Sequence, residues 1–289
     1  MGKTAIFHIE GGVGKNIVAT SVIRCYKKQN PDTDIIVATA YPDVFLLNKN
    51  VYRSYQIGNI PYFYQDYILN KDVEIFAHDP YKTTSHVTKK KNIVESWCNM
   101  IGVEYDGGSP ELYLNFRERE SARNLLPSGK PIMLFQPFGG PLMQDMPYSW
   151  TRDIHPGIAQ RIANHYSEKY NVVHICYPHH PVLDNVTRYD AMQNKKVLAG
   201  FLEASSKRIL IDSSLQHMAA ALNLPSTVFW VGTQPEIFGY ELHENIVPKT
   251  TYPNGGIQSY LFDYSFNGVI HECPYPRLEE IFNLTEVLQ

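Results

Sequence analysis

The run Ile211-Asp212-Ser213-Ser214-Leu215-Gln216-His217-Met218-Ala219-Ala220-Ala221 constrains the fold of this chain more than any other. A short apolar run, Arg208 to Ile211, precedes it, and Leu222-Asn223-Leu224-Pro225 leads on to a second apolar run that ends at Gly232-Thr233. A buried strand that stops at a carboxylate and two hydroxyls and then opens a helix leaves backbone N–H groups at the strand end. Such a helix start, assisted by Ser213 and Ser214, suits a phosphate. The same residues also fit plain capping, with Asp212 or Ser213 as the cap.

Around this centre the chain alternates strand and helix patterns. Thr4 to Ile9 reads as a strand, Gly11 to Gly14 as a tight turn, Asn16 to Gln29 as a helix and Asp34 to Ala38 as the next strand. That βαβ unit predicts a parallel sheet with helices on its faces. Val73 to Phe76 and Glu111 to Leu114 read as further strands, and Asn92 to Ile101 as a helix. The segment Leu125 to Pro131 is turn chemistry with little to bury, which places a linker there. Beyond it, Ile132 to Gln136, Asn171 to Cys176, Arg208 to Ile211 and Thr227 to Val231 read as strands, with helices over 155–168, 195–205 and 214–223 between them. The 289 residues therefore divide into α/β domains over 1–128 and 129–275, with a terminal segment, 276–289, of helical spacing.

Hydrophobic residues make up 44% of the chain and charged residues 19%, which is the balance of a well-filled globular protein. A net charge of -3 gives no electrostatic case for nucleic acid. Lys89-Lys90-Lys91 reads first as a solvated face, with weak peripheral contact to an anionic membrane as its other reading. Cys25, Cys98, Cys176 and Cys273 have no metal-ligand spacing, and Tyr177-Pro178-His179-His180 lacks a completing ligand, so no metal site is expected. The opening apolar stretch is too short for a signal peptide, and no run approaches a membrane span. A reducing, cytoplasmic location is the resulting expectation.

Glu10-Gly11-Gly12-Val13-Gly14-Lys15-Asn16 follows a strand and opens a helix, as a phosphate loop does. It is similar to the variant loop of ParA- and MinD-type ATPases. Glu10, however, stands where their signature lysine belongs, and Asn16 replaces the magnesium-binding hydroxyl. The other readings are a structural turn, or backbone N–H groups with a base or binding group at the mouth of a cleft.

Taken together, Gly11 to Ile23 and Ile211 to Pro235 resemble glycosyltransferase family 9, the lipopolysaccharide heptosyltransferases and their relatives. Gly11 to Arg24 tracks the family's Gly-x-x-Gly-Asp turn and following helix, and Asn30-Pro31-Asp32 its Tyr-Pro-Asp. Asp212 to Pro225 tracks its Asp-Ser/Thr-Gly-x-x-His-x-Ala-Ala-Ala-Leu-x-x-Pro signature, and Trp230 to Pro235 its Phe-Gly-Pro-Thr-x-Pro. The resemblance implies the GT-B arrangement: two Rossmann-like domains with parallel sheets facing across a cleft, the terminal helix returning to the first. It also implies inverting, metal-independent transfer of a sugar from a nucleotide-diphosphate donor to a saccharide or glycolipid acceptor, with no cofactor.

Carried over residue by residue, the resemblance puts the donor's phosphates at Asp212, Ser213, Ser214, Gln216 and His217. Gly139, Gly140, Arg152, Tyr177 and Gly232 are further donor-side candidates, and Gly12, Gly14, Tyr62 and Tyr64 are acceptor-side ones. Two departures stand out. Lys15 occupies the place of the family's catalytic Asp, and an ammonium cannot accept a proton. Glu10 and Asp43 are then the candidate bases, with Lys15 as an anion-binding group. Ser214 replaces a glycine, and Arg152 stands in for the family's basic cluster. A non-catalytic nucleotide- or glycan-binding protein of the same fold is the rival reading.

Overall fold

A computed structural model describes residues 3–58, 60–139, 147–192, 194–249 and 273–288. The chain forms two compact units, Met1–Leu114 and Asn115–Gln289, each a Rossmann-like α/β unit on a parallel sheet. Among the described residues no helix is long and apolar enough to cross a membrane.

In the first unit, β1 (Thr4–Ile9) pairs in parallel with β2 (Asp34–Thr39) on one side and β4 (Val73–Phe76) on the other. The strand β3 (Arg53–Gln56) extends the sheet beyond β2, giving the order β3-β2-β1-β4. A central strand buried on both faces must be apolar throughout, and Ala5, Ile6, Phe7 and Ile9 are all buried. Helix α1 (Val13–Gln29) lays Ile17, Val22 and Ile23 into the same core. The rings of Phe7, Tyr26 and Phe76 meet there at centroid distances of 4.8–5.5 Å. Each such buried ring contributes about 1.5–3 kcal/mol through apolar area removed from water.

The expected strand over Glu111 to Leu114 does not pair into the sheet. Its Glu111 N–H donates to the Thr20 hydroxyl of α1 at 2.8 Å, and Leu112 and Leu114 are buried. Arg24 holds the preceding loop, donating from Nη2 to Asp106 at 2.8 Å and to the Gly108 carbonyl at 2.8 Å. The segment is thus extended because α1 side chains take its backbone groups.

The second unit opens with a helix that hydrophobic spacing does not announce, α5 (Phe116–Leu125). In chain order it follows α2 (Phe63–Tyr67), α3 (Thr84–Val87) and α4 (Ile93–Met100) of the first unit. Asn115 and Glu118 close a capping box at its start. Arg119 of α5 donates to Glu203 of α7 (Lys195–Ala204) at 2.7 Å, which ties α5 to the second unit. The sheet consists of β5 (Ile132–Phe135), β6 (Asn171–Cys176), β7 (Thr187–Asp190), β8 (Lys207–Ile211), β9 (Thr227–Phe229) and β10 (Glu244–Ile246). All pairs are parallel, in the order β10-β9-β8-β5-β6-β7. Helix α6 (Pro156–Ser167) supplies Ile158, Ala159 and Ile162 to the core on one face.

The terminal segment, expected on the first unit, is built into this core in its described part. Ile281, Phe282 and Leu284 are buried there, the Phe282 ring lies 4.9 Å from Phe229, and Tyr166 Oη donates to the Val287 carbonyl at 3.1 Å.

Candidate functional site

Open parallel sheets bind ligands beyond the carboxyl ends of their strands, where the strand order reverses. In the second unit that point lies between β5 and β8. The loop after β5 carries Gln136, Phe138 and Gly139, and the loop after β8 carries Asp212, Ser213 and Ser214 before helix α8 (Ser214–Ala221). Ser213 is the N-cap of α8: its Oγ accepts from the Leu215 N–H at 3.3 Å and donates to the Gln136 side-chain carbonyl. Its hydroxyl is therefore committed within the protein. The Ser214 hydroxyl and the amides of Ser214 and Gln216 have no partner among the described residues. With the positive end of the helix behind them, these are the groups an anion can use.

Two buried carboxylates frame this start, Asp153 and Asp212, with Arg152 acting on both. Asp153 accepts from the Gly139 N–H at 2.7 Å and the Ser149 N–H at 2.8 Å, which pins the loop after β5 to the 149–153 turn. Burial pushes its carboxyl up to about 6, against the pull of Arg152 and those two amides. Asp212 is raised by burial and drawn back by Arg152 and Thr233. Gly232 closes the same loop cluster, its N–H donating to the Thr151 carbonyl at 3.1 Å. Gly140 lies outside the described residues.

Gln216 and His217 build the wall behind the helix start. Gln216 donates from Nε2 to the Phe238 carbonyl at 3.0 Å, and His217 Nδ1 lies 2.8 Å from Tyr240 Oη. His243 bonds the Gln216 carbonyl at 3.1 Å, so the 235–243 loop clasps α8. Burial holds His217 down at about 3, and it is neutral at ordinary pH. Tyr177, after β6, donates its N–H to His180 Nδ1 at 3.1 Å. The His180 ring in turn meets Phe138 at 5.4 Å, which joins the loops after β6 and β5.

The first unit has its own reversal, between β1 and β4. Gly11 takes φ +99°, a left-handed value that suits glycine, and Gly12 is the N-cap of α1 without a side-chain cap. Gly14 lies within the first turn of α1. Lys15 Nζ donates to Asp79 Oδ1, just past β4, at 3.0 Å, and sits 5.5 Å and 5.7 Å from the Tyr81 and Trp97 ring centroids. Asn16 is buried, donating to the Gly12 carbonyl at 3.0 Å and accepting from Thr39. Its amide thus fastens the loop to β2.

The carboxylate that meets Lys15 is Asp79, which sequence reasoning missed. Glu10 is 79% exposed at its side chain and comes only within 3.9 Å of His8. Asp43 sits half-buried on a 3-10 turn after β2. In the tyrosine-rich segment, Tyr55, Phe63 and Tyr67 pack on one another at 5.2–5.8 Å. Tyr62 and Tyr64 stay 74% and 56% exposed.

Among the described residues no group of three or more His, Cys, Asp or Glu is placed to hold a metal ion. No protein-family model matches the chain. No curated protein matches it either. Solved structures do. The glycosyl transferase family 9 structure from Veillonella parvula DSM 2008 superposes with a TM-score of 0.63 at 12% identity, covering 86% of each chain. The Escherichia coli ADP-heptose lipopolysaccharide heptosyltransferase II gives 0.62 at 16% identity, over 91% of this chain and 95% of that one. The iron-containing dodecameric glycosyltransferase TibC from enterotoxigenic E. coli H10407 gives 0.62 at 12%, over 87% and 64%. At these identities the likeness is one of fold: two Rossmann-like units with parallel sheets, consistent with the GT-B arrangement.

Proposed function

We propose that the protein is a glycosyltransferase that uses a nucleotide-diphosphate sugar as donor and a saccharide or glycolipid as acceptor, in cell-surface glycan or lipopolysaccharide synthesis. The observation that carries this reading is the open helix start of α8 at the β5/β8 reversal, with Arg152 beside it. A diphosphate leaving group builds negative charge as its bond to the sugar breaks. Fixed amide dipoles and a guanidinium stabilise that charge without rearranging. One similar fold, an E. coli heptosyltransferase, was solved with ADP and with an ADP-linked fluoro-heptose, which supports the same ligand class for this chain.

The Lys15–Asp79 pair argues against the ATPase reading, because the lysine that would meet a triphosphate is already bonded to a carboxylate. The test is a thermal-shift screen with ADP-, GDP-, UDP-, CDP- and dTDP-linked sugars, since a ligand that binds only the folded state raises its apparent stability. A saturable shift with one donor class supports the proposal. No saturable affinity for any of them refutes it.

A further inference from the structure

We infer that the edge of the first unit around β3 is the contact through which two copies of this chain pair. Of the thirteen large apolar side chains that stand exposed among the described residues, seven fall between Leu46 and Leu69. Exposed apolar groups scattered singly are ordinary, but their concentration on one short segment marks an interaction surface. The segment is held on β3 from both ends. Ser54 Oγ donates to the Pro42 carbonyl at 3.0 Å, which brings in the 3-10 turn over Pro42–Phe45. The Tyr55 ring packs on Phe63 and Tyr67 of α2. Among the described residues β3 pairs with β2 on one side and with no strand on the other.

Two of the exposed side chains are held outward against the backbone's preference. Leu47 has φ +67° and Tyr62 φ +61°, left-handed values that are costly for a residue with a bulky side chain. Yet the two stand 63% and 74% exposed, so neither gains burial within its own chain for that strain. A surface that covers them supplies it.

The charges choose the partner. From Asp43 to Asp72 the chain carries Lys49, Arg53 and Lys71 against Asp43, Asp66 and Asp72, three of each sign. No ion pair joins any of them among the described residues. An anionic lipid or a nucleic acid would meet three carboxylates there, whereas a second copy brings each sign to its opposite. A two-fold axis achieves this with one surface, because residue i of one copy meets residue j of the other and j meets i. Across that axis β3 of one copy pairs antiparallel with β3 of the other, joining two four-stranded sheets into one.

Sedimentation velocity on the full chain, over roughly a hundredfold range of concentration, reads the association directly. The mass is expected to rise from one chain toward two. Tyr62→Asp and Tyr52→Asp change exposed positions only. Each is expected to weaken the association by about tenfold or more, with the melting temperature of the dilute protein close to the parent's. Leu47→Gly removes an apolar side chain where the backbone already takes a glycine's conformation, so it is expected to keep the fold and weaken the association alike. Val182→Asp, at a position 75% exposed on the second unit, is expected to leave the association unchanged. Amide exchange in β3 is expected to slow as concentration rises, while β7, an edge strand of the second sheet, keeps its rate.

A single-chain mass at the highest concentration overturns the inference, as does a mass beyond two chains. Association that the Tyr62→Asp, Tyr52→Asp and Leu47→Gly variants keep at the parent's strength, or that Val182→Asp loses equally, overturns it too. So does pairing that leaves β3 exchange unchanged. A monomeric parent that sediments with vesicles of uncharged phosphatidylcholine, and ceases to in those three variants, gives the surface to a bilayer instead of a second copy.

Discussion

Ser213 and Gln136 are joined side chain to side chain across the point where the order of the second sheet reverses. The bond fixes the N-cap of α8 to the loop after β5, so the helix start is aimed by a strand-end loop as well as by its own strand. It also takes the Ser213 proton, leaving half-buried Ser214 with the hydroxyl that has no partner among the described residues.

Ser214 is the first helical residue of α8, where proline is well tolerated, and Ser213 before it is already extended at φ -153° and ψ 179°. Ser214→Pro should therefore keep the helix while deleting both the amide and the hydroxyl offered to an anion. We expect a melting temperature close to the parent's and donor affinity reduced by roughly tenfold, or about 1.4 kcal/mol. Ser214→Ala, which loses only the hydroxyl, should lose less. Calorimetric titration with the donor checks the order, and equal affinities in all three proteins would move the anion elsewhere.

A Cβ on Gly232 would stand 2.7 Å from the Thr151 carbonyl oxygen and 3.0 Å from the Trp150 ring. Neither neighbour is a flexible tip, so Gly232→Ala should destabilise the second unit by about 1–3 kcal/mol. Urea unfolding measures this, and a change below about 0.5 kcal/mol would mean the turn yields easily.

Asp153 holds its proton up to about 6 in the fold, against an ordinary 3.8 in the unfolded chain. The folded state then binds more protons across that window, so the stability this group contributes is full at lower pH and is lost as pH rises through about 6. Asp153→Asn cannot titrate, and its new N–H faces a backbone donor, at a cost of about 1–3 kcal/mol. The penalty of the substitution, measured by urea unfolding at steps from pH 4 to 7, should shrink as pH rises. A penalty constant over that range would contradict a buried, proton-holding carboxyl.

His174 lies fully buried on β6 against Phe135 and Phe138, with neither ring nitrogen hydrogen-bonded among the described residues. Burial, with Arg188 and His180 nearby, holds it at about 3. The unfolded chain takes up a proton below about 6.5 that the fold refuses, so stability is lost as pH falls from 6.5 toward 3. His174→Leu should raise stability at pH 7 by about 1–3 kcal/mol, since it removes an unsatisfied polar ring from the core. It should also move the acid unfolding midpoint lower, as read by circular dichroism against pH. A destabilised variant would show that the ring has partners in solution.

Sequence reading found the elements whose burial writes itself into composition. β1, β5 and β8 sit at or beside the centre of their sheets, and their apolar runs are plain. Of the four edge strands, β3, β7 and β10 carry mixed residues because one side meets solvent, and they were not legible, whereas β4 was read from Val73 to Phe76. Helix α5 has an apolar stripe too thin to see, although its capping box, Asn115-x-x-Glu118, was there to be read.

At the site, the helix start at Ser213–Ser214 was legible because strand, cap and helix are contiguous. Asp153 and Asp79 were not, since each matters through a partner that folding brings in from elsewhere: Gly139 for one, and Lys15, 64 residues away, for the other. The glycine loop announced a phosphate-binding lysine, and only tertiary pairing shows that lysine turned inward.

The strand order of the second sheet also sets an order of events at the ribosome. β5 is made early but pairs on one side with β8, so that flank stays bare until Lys207–Ile211 has emerged. Pairing between strands so distant in the chain is slow to form and leaves apolar edges exposed meanwhile. The loops after β5 and β8, which carry the candidate site, are brought together by that same late pairing. A nascent chain halted before Ile211 thus carries half of the candidate site and an open strand edge, a product apt to stick to its neighbours.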